Sequence, residues 1–144
     1  MNDAEYEQQQ ARLLALSDAW VRAIGLGWWK IVISYDRTGE DFAESVKKEG
    51  GLRSQIAARC FPDWKYGMAT ILWNMPALPD LDDDDLEQMF VHELMHIFLN
   101  ETRSGNNSDD WLDHEERVAT TLAKGFLWIR DRARDGEWGK GEAS

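Results

Sequence analysis

The sequence predicts an α+β fold with a helix at each end, a small twisted sheet of three strands and a largely buried helix before the last one. Three segments carry apolar residues at helical spacing: 4–24, 90–99 and 111–134. Three shorter runs are rich in β-branched and aromatic residues and predict strands: 28–35, 54–61 and 66–74. Because 43% of the 144 residues are hydrophobic, we expect one domain over 1–144, with flexible ends at 1–3 and 136–144.

Glycine, proline and acidic residues mark the boundaries between these elements. A Gly-Leu-Gly triplet at 25–27 predicts the end of the first helix, and a Pro-Asp pair at 62–63 predicts a hairpin between the second and third strands. Residues 41–49 fit either a short helix ended by two glycines or a mobile loop. We expect the acids at 82–85 to cap the next helix, since a helix N-terminus favours acids, rather than to bind a cation. The last helix is predicted to face the core with six apolar residues: Leu112, Val118, Leu122, Phe126, Leu127 and Ile129.

Charge and composition exclude several classes of partner. The net charge is −11, so the surface should repel nucleic acid and anionic membranes, and we expect neither as a partner. No apolar run approaches the length of a membrane span. Cys60 is the single cysteine, so no intramolecular disulfide can form, and it fits a small buried strand residue. With no signal-peptide pattern at the N-terminus, these features predict a cytoplasmic protein.

The stretch "FVHELMHIFLN" holds the pattern H-E-x-x-H at His92, Glu93 and His96. On a helix, residues four apart lie one above the other, so both imidazoles can reach one metal ion. The pattern predicts a Zn²⁺ site in which the histidines bind the metal and Glu93 acts as general base. The alternative is that these residues form an exposed helix face, or that the histidines are core residues satisfied by hydrogen bonds.

A catalytic zinc with two histidine ligands needs one further protein ligand. The metzincin pattern would require a glycine at position 99 and a histidine at 102, where this chain has Leu99 and Thr102, so that class is excluded. Four residues at the start of the last helix remain as candidates: Asp113, His114, Glu115 and Glu116.

Glu116 is the favoured third ligand, and Glu115 is its rival. Glu116 is followed by Ala119, Thr120 and Ala123; small residues allow close helix packing, and Thr120 could accept a hydrogen bond from the outer nitrogen of a ligand histidine. Glu115 shares its helix face with more apolar residues, where a buried acid would need a metal or another partner.

The other two candidates have simpler interpretations. Asp113 fits an N-cap or first-turn acid. His114 could replace glutamate as the third ligand or stabilise the oxyanion of a tetrahedral intermediate, but an exposed first-turn histidine is the commoner case.

Several segments together resemble small zinc metallopeptidases of phages and bacteria: "GLGWWKIVISY", "IAARCFPDWKYGMATILW", "LEQMFVHELMHIFLN" and "EERVATTLA". The last of these is also similar to the E-x-x-A-N-x-F-A segment of ImmA/IrrE-type metallopeptidases, with Glu116, Ala119 and Ala123 at matching positions and with Thr120 and Leu122 as departures. SprT-like proteases share a related minimal core, but they act on DNA-bound protein, which the net charge disfavours here.

The resemblance implies a minimal zincin fold and a zinc-dependent peptidase of unknown protein or peptide substrate. In zincins an edge strand pairs with the extended substrate, and "YGMATILWN" is the expected edge strand. The alternative is a catalytically silent zincin-fold protein in which zinc is structural. A metal-free interaction protein with exposed tryptophans is a third possibility, because the chain has eight tryptophans.

Overall fold

The computed structural model describes residues 1–48, 57–103 and 106–136. The described chain is α+β, as the sequence predicts, with four long or medium helices around a three-stranded mixed sheet. In chain order the elements are α1 (Asp3–Trp20), β1 (Lys30–Asp36), α2 (Glu40–Lys48), β2 (Ala58–Asp63), β3 (Met68–Asn74), α3 (Asp83–Arg103) and α4 (Asp109–Arg134). No helix within these ranges is long and apolar enough to cross a membrane.

The sheet has the order β1-β3-β2, so the prediction that "YGMATILWN" forms an edge strand is wrong. β3 is central because it pairs in parallel with β1 and antiparallel with β2; Ile71 lies opposite both Ile33 and Cys60. β2 is the edge strand beside α3. Pro62 lies within β2, and a residue without a backbone N–H is tolerated at a sheet edge.

The hairpin between β2 and β3 is present, but its turn lies later than the Pro-Asp pair predicts. β2 continues through Asp63, and the chain reverses through a short 3₁₀ helix at Trp64–Tyr66 and through Gly67, whose φ is +60°. A side chain on Gly67 would also approach the ring of Trp28 to 3.3 Å. A left-handed glycine packed against this ring therefore makes the turn. The predicted beginning of the strand, 54–56, lies outside the described residues.

Two helix predictions near the N-terminus have different outcomes. α1 ends at Trp20 rather than at residue 24, because the chain leaves the helix through turns that end at Gly25, with φ of +90°. The helical alternative for 41–49 is correct as far as Lys48, while the glycines expected to end it lie outside the described residues. The buried carboxylate of Asp36 accepts a hydrogen bond from the Phe42 backbone N–H at 2.8 Å, which fixes the start of α2 against the end of β1.

The hydrophobic core lies between the sheet and helices α1, α3 and α4. The rings of Trp73 in β3 and Phe90 in α3 are fully buried and stacked, with centroids 5.9 Å apart. α4 contacts this core only partly as predicted. Phe126 and Leu127 pack against the core, but Val118, Leu122 and Ile129 are exposed, whereas Ala119 and Ala123 are fully buried. The small alanines let α4 approach α3 closely, which branched side chains in the same positions would prevent.

A polar cluster joins α1, α3 and α4 beside the core. Glu87 in α3 accepts a hydrogen bond from the indole N–H of Trp20 at 2.7 Å, and the Arg130 guanidinium in α4 binds both of its carboxylate oxygens. The Arg130 guanidinium also lies 5.4 Å from the centroid of the Trp20 ring. Bidentate arginine–carboxylate pairs are among the stronger polar contacts in proteins. This cluster therefore fixes the C-terminal half of α4 on α3.

We expect Glu87→Ala to lower the free energy of unfolding by about 1–3 kcal/mol, because it leaves the Trp20 N–H without its acceptor and removes the bidentate partner of Arg130. The matched control is Asp131→Ala, which removes the other acid bound to Arg130, at a half-exposed position; it should cost about 0.5 kcal/mol or less. Urea unfolding of the three proteins measures both values. Equal losses for the two variants would contradict a specific role for Glu87.

The pair of Glu87 and Arg130 also predicts that the free energy of unfolding depends on pH. The hydrogen bonds from Arg130 lower the pKa of Glu87 and, together with the bond from Trp20, outweigh the raising effect of burial. A lowered carboxyl pKa stabilises the fold above the unfolded value, about 4.3, and this stability is lost as the pH falls through the folded value. The difference between wild type and Glu87→Gln should therefore shrink in urea titrations below pH 4.

Candidate metal centre

α3 brings the two histidines together in the way that the sequence predicts. Asp82 caps the helix by accepting a hydrogen bond from the Asp85 backbone N–H at 2.8 Å, so the acid block has the expected capping role. Leu94 and Met95 pack into the core, while Glu93 and His96 are buried polar residues with 4% and 8% exposure. Buried polar groups need specific partners, and most of those partners come from α4.

His92, His96 and Glu116 form the one group among the described residues in which at least three potential metal ligands converge. The Nε2 atoms of the two histidines are 3.0 Å apart. One carboxylate oxygen of Glu116 lies 3.1 Å from Nε2 of His92, and the other lies 3.2 Å from Nε2 of His96. The structure therefore brings together the three residues predicted as ligands, in a group that could bind a metal ion.

The outer nitrogens of both imidazoles are held by residues of α4. Thr120 Oγ1 lies 3.2 Å from Nδ1 of His92, the contact anticipated from the sequence. Glu115 Oε1 lies 3.0 Å from Nδ1 of His96. A carboxylate accepts hydrogen bonds, so this contact favours the form of His96 in which Nδ1 carries the proton. Such contacts fix the ring and leave Nε2 free for the metal.

These contacts separate the roles of the two glutamates. The Glu116 side chain faces both Nε2 atoms, whereas the Glu115 side chain binds the far nitrogen of His96 and is only 9% exposed. Glu115 is therefore placed to orient His96, a role that the sequence reading did not assign to it. Glu115 lies on an apolar face of the helix, so its buried carboxylate needs a partner. That partner is the His96 imidazole.

The ligand group concentrates charge in a partly buried place. Burial raises the pKa of Glu116, but hydrogen bonds from His92 and His96 outweigh that effect and lower it. Burial lowers the pKa of His96, yet its hydrogen bonds to Glu115 and Glu116 and the charge of Glu93 raise it to about 10. When the imidazoles are neutral with Nδ1 protonated, two nitrogen lone pairs and a carboxylate face one another. That arrangement needs a cation, either a proton or a metal.

Glu93 lies within the same cluster but has a different environment. Its Oε2 atom is buried and has no hydrogen-bond partner among the described residues. Burial raises the pKa of Glu93, and the nearby His96 and His92 oppose that effect. An unpartnered carboxylate oxygen beside a metal group is a candidate proton acceptor.

Cys60 in β2 is a neighbour of the site that the sequence reading missed. Burial raises the pKa of its thiol well above the ordinary value, and the charges of Glu93 and Glu115 raise it further. Cys60 is therefore a neutral thiol, and the interaction shows that the edge strand runs beside the ligand group. No sequence signal marks this contact, because it depends on the pairing of distant segments.

The two remaining candidates do not join the group. His114 is exposed, and its Nδ1 accepts a hydrogen bond from the Arg117 guanidinium at 2.7 Å. Asp113 is exposed in α4, whose N-cap is Ser108. The prediction that Asp113 is an N-cap or first-turn acid is wrong, because α4 begins at Asp109, two residues earlier than Trp111, and its first-turn acids are Asp109 and Asp110.

We expect one metal ion per chain after loading with Zn²⁺ or Co²⁺, lost in both His96→Ala and Glu116→Gln because each removes a converging ligand. Glu115→Gln should retain the ion with about 10–100-fold weaker affinity, since it weakens only the bond that orients His96. Competition with a chromophoric chelator measures the affinities, and mass spectrometry measures the content. Loss of the ion in Glu115→Gln but not in Glu116→Gln would show that Glu115, and not Glu116, is the third ligand.

Metal binding should also release a proton. Because the pKa of His96 is raised to about 10, the metal-free protein carries this proton near neutral pH, and an ion at Nε2 must replace it. Affinity should therefore rise by about tenfold per pH unit between roughly pH 7 and 9. Calorimetric titration in buffers of different ionisation enthalpy should give about one proton released. No proton release would show that His96 is already neutral.

The comparison with known proteins adds no relative. No family model matches this chain, and neither a curated protein nor a solved structure matches it. The case for a metal centre rests on the converging side chains of α3 and α4 and on the contacts that hold them.

Proposed function

We propose that this protein is a zinc-dependent metallopeptidase with His92, His96 and Glu116 as metal ligands and Glu93 as general base. The observation that carries the proposal is the convergence of the two Nε2 atoms, 3.0 Å apart, with the Glu116 carboxylate, whose oxygens lie 3.1 and 3.2 Å from them. In a tetrahedral zinc site, bonds of 2.0–2.1 Å separate neighbouring ligands by about 3.3 Å. The three donors therefore fit the ion with little rearrangement.

The number of ligands supports catalysis over a structural role. Structural zinc sites use four protein ligands, whereas catalytic sites use three and keep one position for water or substrate. Cys60 has the side chain of a structural ligand, but it does not belong to the converging group. Within the described residues the group has three donors, and its composition is that of the His₂Glu hydrolytic sites.

The chain's own residues account for the proton transfers. Zinc held by these ligands would supply Lewis acidity and a coordinated water with a pKa near neutrality. Glu93 can take a proton at Oε2, which has no hydrogen-bond partner within the described chain. It can then return that proton to the amine leaving group when the peptide bond breaks. Glu115 and Thr120 keep the imidazoles oriented during these steps.

A peptide substrate fits the surroundings of the group. The outer edge of β2 has no strand partner among the described residues, so an extended peptide could pair with it, as in the zincin fold that the element order resembles. A cavity of about 470 Å³ lies at the end of β2 and is lined in part by Trp64, Tyr66 and Asn100. Asn100 is four residues after His96 and so lies one turn further along α3. This cavity can receive a substrate side chain.

Glu93→Gln tests the proposal because it removes the base while keeping the shape of the side chain. We expect it to keep one zinc per chain and to cut a proteome-derived peptide library about 10²–10⁴-fold more slowly than wild type. Peptide cleavage is measured by mass spectrometry, with His96→Ala as the metal-free control. Equal cleavage by Glu93→Gln and wild type would contradict the mechanism. Zinc binding by the wild type without any cleavage would favour the silent zincin-fold alternative.

A further inference from the structure

α4 carries an exposed apolar stripe formed by Trp111, Val118, Leu122 and Ile129. These side chains retain 47%, 44%, 39% and 45% of their accessible surface, respectively. At about 100° per residue, the four positions fall within roughly 20° of one line along the helix. The stripe spans 19 residues, whose 18 helical steps cover about 27 Å. Exposed apolar side chains aligned in this way mark a candidate interaction surface.

The stripe is symmetric about position 120. Trp111 and Ile129 each lie nine residues from that position, and Val118 and Leu122 each lie two residues from it. A second α4 packed antiparallel about a two-fold axis at this point would place Trp111 opposite the partner's Ile129. It would also place Val118 opposite the partner's Leu122. The stripe is therefore complementary to itself, which a two-fold homodimer requires.

Charge selects the antiparallel orientation over the parallel one. The N-terminal part of α4 has three exposed acids, Asp109, Asp110 and Asp113, against one base, Arg117. Apart from Arg130, which binds Glu87, the C-terminal part has the bases Lys124, Arg132 and Arg134 against one acid, Asp131. An antiparallel pair sets acidic against basic ends, and it also opposes the two helix dipoles favourably. A parallel pair would set like charges together.

Gly125 allows close approach within this surface. It is exposed, lies about 40° from the line of the stripe, and has open space where a side chain would be. A helix can approach more closely over a glycine than over a larger residue. We propose that α4 is the interface of an antiparallel homodimer, with the four-residue stripe of one copy packed on the same stripe of the second.

Sedimentation equilibrium of the full metal-loaded chain tests whether the stripe on α4 forms a dimer interface. Because one helix per copy buries a small interface, we expect a dimer with a micromolar dissociation constant. Val118→Asp combined with Leu122→Asp should make the protein monomeric without changing metal content or the unfolding temperature by more than a few degrees, since both side chains are exposed. The matched control is Trp128→Asp, at a residue 56% exposed and about 100° away on the same helix, which should still dimerise.

A monomeric wild type throughout the micromolar range would overturn the proposal. So would a dimer that persists in the double variant, because another surface would then be responsible.

Cysteine cross-linking tests the orientation independently. Trp111→Cys and Ile129→Cys are each made in a Cys60→Ala background, which removes the native thiol. Under mild oxidation, the mixture of the two variants should form disulfide-linked dimers at least tenfold faster than either variant alone. Antiparallel packing brings the two different positions together and keeps identical positions about 27 Å apart along the helix. Faster cross-linking within each single variant would indicate parallel packing and overturn the antiparallel interface.

Discussion

Arg130 fixes α4 on α3 through its bidentate bond to Glu87, and the buried alanines Ala119 and Ala123 set how closely the two helices approach. The ligand group depends on both features. Two candidate ligands come from α3, and the third candidate and both residues that contact the outer imidazole nitrogens come from α4. A shift of α4 by one residue would move the Glu116 carboxylate by about 1.5 Å along the helix and rotate it by about 100°, which would disperse the group.

The same packing of α4 on α3 places several carboxylates close together inside the protein. Three carboxylates, those of Glu93, Glu115 and Glu116, lie around two imidazoles in a partly buried place. Without a metal, protons must balance part of this negative charge. The raised pKa of His96 is a consequence of that charge. A bound divalent cation would compensate the carboxylates directly and would stabilise the folded state in proportion to its affinity. The acids are therefore better explained as the surroundings of a cation than as an arrangement that stabilises the metal-free fold.

The sequence was informative where function depends on local geometry. His92 and His96 share a helix face whatever the rest of the chain does, and the small residues after Glu116 indicate a helix that can pack closely. The sheet order could not be obtained in this way. The residues of β3 would suit an edge strand as well as a central strand. β3 is central because it pairs with both β1 and β2. The different directions of the Glu115 and Glu116 side chains likewise do not follow from spacing alone.

The error about the face of α4 has a physical explanation that connects the metal group with the surface. Two neighbouring faces of this helix compete for the core, one formed by Val118, Leu122 and Ile129 and the other by Ala119 and Ala123 together with Phe126 and Leu127. Beside the ligand group, transfer free energy alone favours burying Val118 and Leu122 over the two alanines. However, only the alanine face brings α4 close enough for Glu116 to meet both histidines. The fold therefore leaves apolar surface exposed beside its ligand group, and a second copy of α4 could bury that surface without moving Glu116.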